Sequence, residues 1–282
     1  MATAFLCKTC GTQYPPRENP PSQCLICEDD RQYLKPWGQK WTTLDELRSD
    51  HANHFEEQEP GVTKIITRPS FGIGQNAYLI ETPQGNVLWD MIALLDDATV
   101  AEIEGRGGIT GIGISHPHYY TTMIEWSRAL GNVPIWLHEA NRGWVVRPDE
   151  AVRFWNDDTK ELLPGVTMIR TGGHFPGGTV LHRAGNPDAE APEERDGVLF
   201  SGDIFTVVAD PRWVTFMYSY PNSIPLDPAT VRRMVDLVAP YPYARVHDAF
   251  DKHVLADGAA AVERSADRYI RHILGEAGPT IG

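Results

Sequence analysis

The spacing of apolar and polar positions changes character near residue 62. Residues 28–60, EDDRQYLKPWGQKWTTLDELRSDHANHFEEQEP, are dominated by polar side chains and carry one short helical candidate near Thr43 to Arg48. From Val62 onward, short β-type runs broken by turn residues take over. KIIT is the first, and NAYLI and VLWD flank the turn PQGN, which predicts a hairpin. Asp97 can cap a helix running through Glu104, ITGIGIS reads as a buried strand, and VPIWLH as another, with helical material between and after them. VTMIRTGG, GTVLHRA and VLFSGD predict three further strands, the last two joined by an acidic, solvated loop, GNPDAEAPEERDG. Val262, Ala266, Tyr269 and Ile273 recur at helical spacing, so the C-terminal segment should pack one face on a core. Strands alternating with helices predict an α/β fold. There is no internal repeat.

All four cysteines fall in the first 27 residues, as Cys7-x-x-Cys10 and Cys24-x-x-Cys27. Two such hooks suit tetrahedral thiolate coordination, because each turn presents two sulfurs and the loop between them can be irregular once an ion staples it. Zinc is the first choice. The segment FLCKTCGTQYPP also resembles the knuckle of rubredoxins and zinc ribbons, which admits iron, although the 13-residue gap between the hooks is shorter than is usual for rubredoxins. With four sulfurs engaged, no position stays open for substrate, so this site is read as structural. The expected organisation is a zinc-ribbon-like module over 1–34, a connecting segment over 35–61 and the main domain over 62–282.

The net charge of −13 argues against nucleic acid and anionic membrane surfaces as partners. No apolar run reaches the roughly 20 residues of a spanning helix, and MATAFLCKTC has no apolar stretch of signal-peptide length. A cytoplasmic location, a small-molecule substrate and an optional homo-oligomer are the resulting expectations.

The candidate chemistry sits at strand ends. Ser115-His116-Pro117-His118 closes the ITGIGIS run, and Thr122-Met123-Ile124-Glu125 has the form of a capping box that starts a helix at about Met123. His116 to Thr121 are thereby left in the strand-to-helix loop. His174 follows VTMIRTGG and Asp203 ends VLFSGD, so separate strands deliver His, His, His and Asp to the kind of position where ligands gather in α/β sheets. The Gly172-Gly173 and Gly177-Gly178 pairs around His174 allow a sharp backbone path.

These motifs together resemble the metallo-β-lactamase superfamily over about residues 62–282. NAYLIETPQGNVLWD resembles the opening hairpin of that family with its buried aspartate, here Asp90; SHPH resembles the first half of H-x-H-x-D-H; GGHFPGGTVL and LFSGD resemble the third and fourth motifs. The resemblance implies an αβ/βα four-layer sandwich with a metal cleft at one edge. It implies His116, His118 and His174 as ligands of a first metal, with Asp203 bridging toward a second. The D-H pair of the motif falls on Tyr120 and Thr121, neither an ordinary zinc ligand, so a second ion should be weak or absent. The closing histidine is blurred as ARVHDAFDKHV: His247 can be the ligand, and His253 can be an outer helical residue.

A single zinc with three imidazoles lowers the pKa of bound water from about 15.7 toward about 7 and can polarise a carbonyl. That supports a hydrolase of esters, lactones or thioesters of small, fairly apolar molecules. Proton transfer falls to Asp203, to the Tyr120 hydroxyl or to substrate; the plainer reading of Tyr119 and Tyr120 is aromatic bulk filling the vacated metal position. Two other classes stay open. One is a mononuclear iron oxygenase of the persulfide-dioxygenase type using His116, His174 and Asp203. The other is a non-enzymatic binding protein on a degenerate fold. His51 and His54 are expected to be solvated in the connecting segment, with H-x-x-H spacing on one helical turn. His138 reads as a strand-end histidine, and FMYSYPNSIPL (216–226) as either one wall of the cleft or ordinary core.

Overall fold

A computed structural model describes residues 2–189 and 195–276. The chain divides into two compact units, residues 1–156 and 157–282.

In the first unit, seven strands form one sheet in chain order: β1 (Ala52–Glu59), β2 (Val62–Arg68), β3 (Ala77–Thr82), β4 (Gly85–Trp89), β5 (Gly111–Gly113), β6 (Ile135–His138) and β7 (Val152–Trp155). The β1–β4 meander is antiparallel, and the two-residue turn between β3 and β4 lies at Pro83-Gln84, within the expected hairpin. From β4 onward every pairing is parallel. Parallel neighbours need crossovers, supplied here by α2 (Asp97–Gly105) between β4 and β5 and α3 (Met123–Ala129) between β5 and β6. The carboxyl ends of β4 and β5 therefore lie side by side, with Trp89 opposite Gly113. Buried Ile65, Leu79, Leu88, Ile112 and Leu137 supply apolar faces of this sheet.

The sheet starts at Ala52, inside the segment expected to be a polar connection. β1 reads ANHFEEQE, with Phe55 as its one large apolar residue, because an edge strand with a half-exposed face has little apolar surface to bury. His54 therefore lies on a strand, and the anticipated helical His51–His54 pair does not form; His51 Nδ1 instead meets Asp50 Oδ1. The short helix before it is present as α1 (Leu44–Arg48), closed by a reciprocal capping box in which Glu46 N donates to Thr43 Oγ1 and Thr43 N to Glu46 Oε2, both at 3.1 Å.

Two cap assignments need correction. Asp96, not Asp97, caps α2, its carboxylate accepting from Thr99 N at 2.8 Å. The Thr122–Glu125 box does not form, although α3 begins at Met123 as expected. Thr122 is not extended, and its hydroxyl turns away to donate to Ala93 O at 2.8 Å; the Glu125 carboxylate pairs with Arg147 at 2.7 Å.

In the second unit, six strands run in chain order: β8 (Thr159–Leu163), β9 (Val166–Arg170), β10 (Thr179–Arg183), β11 (Val198–Gly202), β12 (Arg245–Asp248) and β13 (His253–Val254). All pairs are antiparallel except β11 with β12. Part of the acidic 185–197 loop, residues 190–194, lies outside the described residues. Helices α4 (Pro228–Val238) and α5 (Gly258–Ile273) bury Val231, Met234, Val235, Val238, Val262 and Ala266 in the same core as Leu199 and Val246. Tyr269 packs against that core with Ile270, whereas Ile273 is 43% exposed, so the predicted stripe ends one turn early. No helix among the described residues is long and apolar enough to cross a membrane.

Candidate metal centre

Among the described residues, the four cysteines of the first unit form a buried group that can hold a metal ion; His116 and His118 in the first unit, and His174 and Asp203 in the second, are buried side chains of metal-ligating type.

At the cysteine group, the four sulfurs lie within 4.8 Å of one another, and Cys7–Cys27 and Cys10–Cys24 are each 3.6 Å apart. A tetrahedral ion with bonds of about 2.3 Å to sulfur needs edges of about 3.8 Å, so the spacing suits zinc and is far beyond a disulfide bond. Each hook is a tight turn: Gly11 N donates to Cys7 O at 2.8 Å, and Cys27 N to Cys24 O at 3.0 Å. Gln39 Nε2 donates to Cys7 Sγ at 3.2 Å, the kind of contact that steadies a thiolate ligand.

In the first unit, His116 and His118 occupy the loop after β5. Pro117 starts a single 3₁₀ turn over Pro117–Tyr119, and extended backbone at His116 leads into it. The two imidazoles meet edge to face, 4.8 Å between ring centroids, and both are buried. Asp90, at the end of β4, fixes the loop: its Oδ1 accepts from Ser115 N at 2.7 Å. Ser115 Oγ lies 2.9 Å from His116 Nδ1. A hydroxyl accepting the Nδ1 proton leaves the lone pair on Nε2, the arrangement that metal-binding imidazoles commonly have.

Tyr120 does not have the surroundings of an acid–base group. It is 3% exposed; burial pushes its phenol well above the ordinary value, a shift only partly offset by a hydrogen bond with Asn141. It borders a void of about 10 Å³ shared with Thr12, Gln13, Val146 and Arg147. Thr121 Oγ1 donates to Ile92 O at 3.1 Å.

In the second unit, His174 Nδ1 donates to the backbone carbonyl of Tyr218 at 2.7 Å. In the neutral ring, that bond assigns the lone pair to Nε2, which faces Asp203 Oδ2 at 3.8 Å. Two electron-pair donors at that separation fit a shared cation. Gly173, at φ +83°, lets the loop pass over α4: a Cβ there would lie 2.5 Å from Met234 Sδ. Tyr220 has its ring centroid 5.7 Å from that of His174; burial, then the charge of Asp203, holds its phenol far above the ordinary value. Within the 216–226 segment, Phe216 and Leu226 lie in the core and Tyr218 and Tyr220 lie beside His174.

The remaining histidines are placed as follows. His247 and His253 are paired strand residues, not strand and helix, with their Nδ1 atoms 2.7 Å apart and the His247 ring stacked on Phe200. His138 Nδ1 accepts from Ala140 N at 3.2 Å, and its ring sits edge-on to Trp155. Sequence reasoning missed Ser115, Asn141 and the Tyr218 carbonyl. Only Ser115, adjacent to His116, carried a local signal.

The fold that presents these residues is that of the metallo-β-lactamases. The solved structure of the metallo-β-lactamase DIM-1 matches with a TM-score of 0.54 at 13% identity, over 77% of this chain and 96% of that one. VMB-1 matches at 0.56 and 13%, over 78% and 98%. MEM-A1, a subclass B3 metallo-β-lactamase from a soil metagenome library, matches at 0.51 and 16%, over 77% and 95%. No protein-family profile matches the sequence. The chain belongs to the same family as YmaE of Bacillus subtilis (strain 168), an uncharacterized protein 44% identical over 275 residues that span 96% of this chain and 97% of that one.

Proposed function

We propose that His116, His118, His174 and Asp203 hold one metal ion, zinc by the character of the donor set, and that the protein is a hydrolase of esters, lactones or thioesters of small, fairly apolar molecules. The observation that carries this reading is the donor set each unit buries, two imidazoles on the loop after β5 in the first and an imidazole beside a carboxylate in the second, with Tyr120 and Thr121 where a second ion would need an acid and an imidazole. When bound, zinc supplies Lewis acidity that brings a water within reach of deprotonation near neutral pH and polarises a carbonyl.

The chain's own groups do the rest. Ser115 and the Tyr218 carbonyl orient His116 and His174 through Nδ1. Asp203, beside His174, is the carboxylate that takes and returns the proton. Tyr220 stays a neutral phenol, and its ring, with Phe175 5.2 Å from His174, gives the second unit an apolar surface next to the reacting atoms. Tyr119, with its ring centroid 4.4 Å from that of His116, does the same in the first unit. Tyr120 is left out of the chemistry, because a phenol raised that far by burial is a poor base at neutral pH.

Native mass spectrometry with metal analysis tests the assignment. Two ions per chain are expected, one at the cysteines and one at the histidines, and His118→Ala should remove one. Turnover of neutral esters or lactones that disappears in that variant supports the activity. Iron at the histidines with no esterase turnover would replace the hydrolase with the oxygenase reading. A third ion retained after chelator dialysis would refute the single-metal assignment.

A further inference from the structure

The cysteine knuckle and the histidine loop belong to the same unit, and the contacts between them are more specific than a merely structural appendage requires. Gln13 N–H donates to Thr121 O at 3.0 Å, joining the strand end of the knuckle to the residue that closes the His116–Thr121 loop. Thr121 sits at φ +30°, a backbone that a β-branched residue adopts rarely and only under outside restraint. The Gln13 carboxamide accepts from Arg147 Nη1, and the same guanidinium pairs with Glu125 in the first turn of α3 at 2.7 Å. The knuckle thus reaches both the loop and the helix that follows it.

Gly11, directly after Cys10, packs against the same segment. A Cβ at Gly11, whose φ is +81°, would lie 3.0 Å from Ala93 Cβ and 3.3 Å from Thr121 Cγ2. Ala93 O and Ile92 O are the acceptors that hold Thr122 and Thr121. A small void of about 10 Å³ is lined by Cys10, Gly11, Ile92 and Ala93 together with residues of the 67–75 segment.

The knuckle is built around its sulfurs: its buried cluster is the four cysteines with Tyr14 and Ile26, against which Trp41, Trp144 and Val146 pack, so an ion at the cysteines would tie together the centre of a small apolar cluster. We infer that the cysteine site is a positioning device for the histidine site: an ion at Cys7, Cys10, Cys24 and Cys27 holds Gly11 and Gln13 against Thr121, and occupancy of the histidine site depends on it. The inference rests on His116 and His118 being metal ligands, as proposed above. Because coupling between two binding sites is reciprocal, an ion at the histidines should also tighten the cysteine site.

The test uses the full chain loaded with Co²⁺. Thiolate-to-cobalt absorption reports the cysteine site, native mass spectrometry the stoichiometry, and chelator competition the affinity of the histidine-site ion. Gln13→Ala should retain the cysteine ion yet weaken the histidine ion by about tenfold or more, the scale of outer-sphere changes at metal sites. Gln13→Glu keeps an acceptor for Arg147 and should restore near-wild-type affinity, a rescue that a general folding defect would not give. Gly11→Ala should act like Gln13→Ala or more strongly, and Cys24→Ser should lose both ions. A histidine-site ion held with wild-type affinity in Gln13→Ala and Cys24→Ser overturns the coupling and leaves the metal assignment standing. A wild-type protein with no ion at the histidines overturns both.

Discussion

Asp90→Ala should be among the most damaging single substitutions outside the ligands, and its cost can be built from the structure. Asp90 is 1% exposed at the end of β4, and its Oδ1 accepts the Ser115 N–H at 2.7 Å; Ser115 is also fully buried. Removing the carboxylate leaves a buried amide without that acceptor, a loss of about 1.5–3 kcal/mol for a hydrogen bond to a charged group. Asp90 also holds φ +59°, where aspartate and asparagine are tolerated and alanine is strained by about 1–2 kcal/mol. The sum, about 2.5–5 kcal/mol, is a large share of the roughly 5–15 kcal/mol typical of a folded domain. Asp90→Asn keeps a carbonyl acceptor and the backbone preference, so it should cost less than half as much. Urea unfolding of the first-unit transition, compared at constant m, measures both. Because Ser115 precedes His116, Asp90→Ala should also lower histidine-site metal occupancy under conditions where the protein is still folded. An Asp90→Ala midpoint within about 0.5 kcal/mol of wild type, or an Asn variant as damaged as the Ala variant, would refute the reasoning.

Ser115→Ala should weaken the histidine-site ion by about 10–100-fold in chelator competition, with little change in fold by circular dichroism, because it removes the partner of His116 Nδ1. Cys24→Ser should lower the melting temperature and the metal content. A substrate panel should favour neutral esters over phosphodiesters, given the Tyr119, Phe175 and Tyr220 rings around the histidines. Burial holds the His182 imidazole below its ordinary value of 6.5, partly offset by its bond to Pro242 O. The unfolded chain therefore takes up the proton more readily, and the contribution to stability is full above pH 6.5 and lost as the pH falls through that value. His182→Gln should flatten the decline in melting temperature between about pH 7 and pH 5; an unchanged slope would remove His182 from the account.

The α/β alternation and most of the strands were legible because their signals are local. Apolar runs such as VTMIR and VLFSG become β9 and β11 nearly as written, since strands buried on both faces need only be apolar throughout. β1 was not legible for the converse reason. Its partner β2 supplies Ile65 and Ile66 opposite Phe55 and His54, so the apolar pattern that makes β1 a strand lies in its neighbour. The cap at Thr122 failed on similar grounds. Thr43 and Thr122 head the same T-x-x-E motif, and only Thr43, at an exposed helix start, closes its box. Buried Thr122 has two carbonyls, Ile92 O and Ala93 O, competing for its hydroxyl, and they lie some 30 residues away in the chain.

The same distinction separates what could be read of the metal centre from what could not. The ligands announce themselves because ligating side chains are restricted to a few residue types and stand at strand ends; the groups that orient them are under no such restriction. His174 is held by a backbone carbonyl 44 positions downstream, and a carbonyl has no residue identity to recognise. Tyr120 shows the limit from the other side. Its place in the motif made it a candidate for proton transfer, whereas its burial beside Asn141, Thr12 and Gln13, which raises its phenol, has no signature in the motif. Tyr120 and Thr121, where the motif that the sequence resembles has an acid and an imidazole, are therefore better described by what they contact. Tyr120 and Thr121 border the cysteine knuckle: Tyr120 lies beside Thr12 and Gln13, Thr121 Cγ2 lies close to Gly11, and Thr121 O accepts from Gln13 N–H at 3.0 Å. In the coupling inferred above, this contact is the one through which an ion at the cysteines reaches the histidine loop.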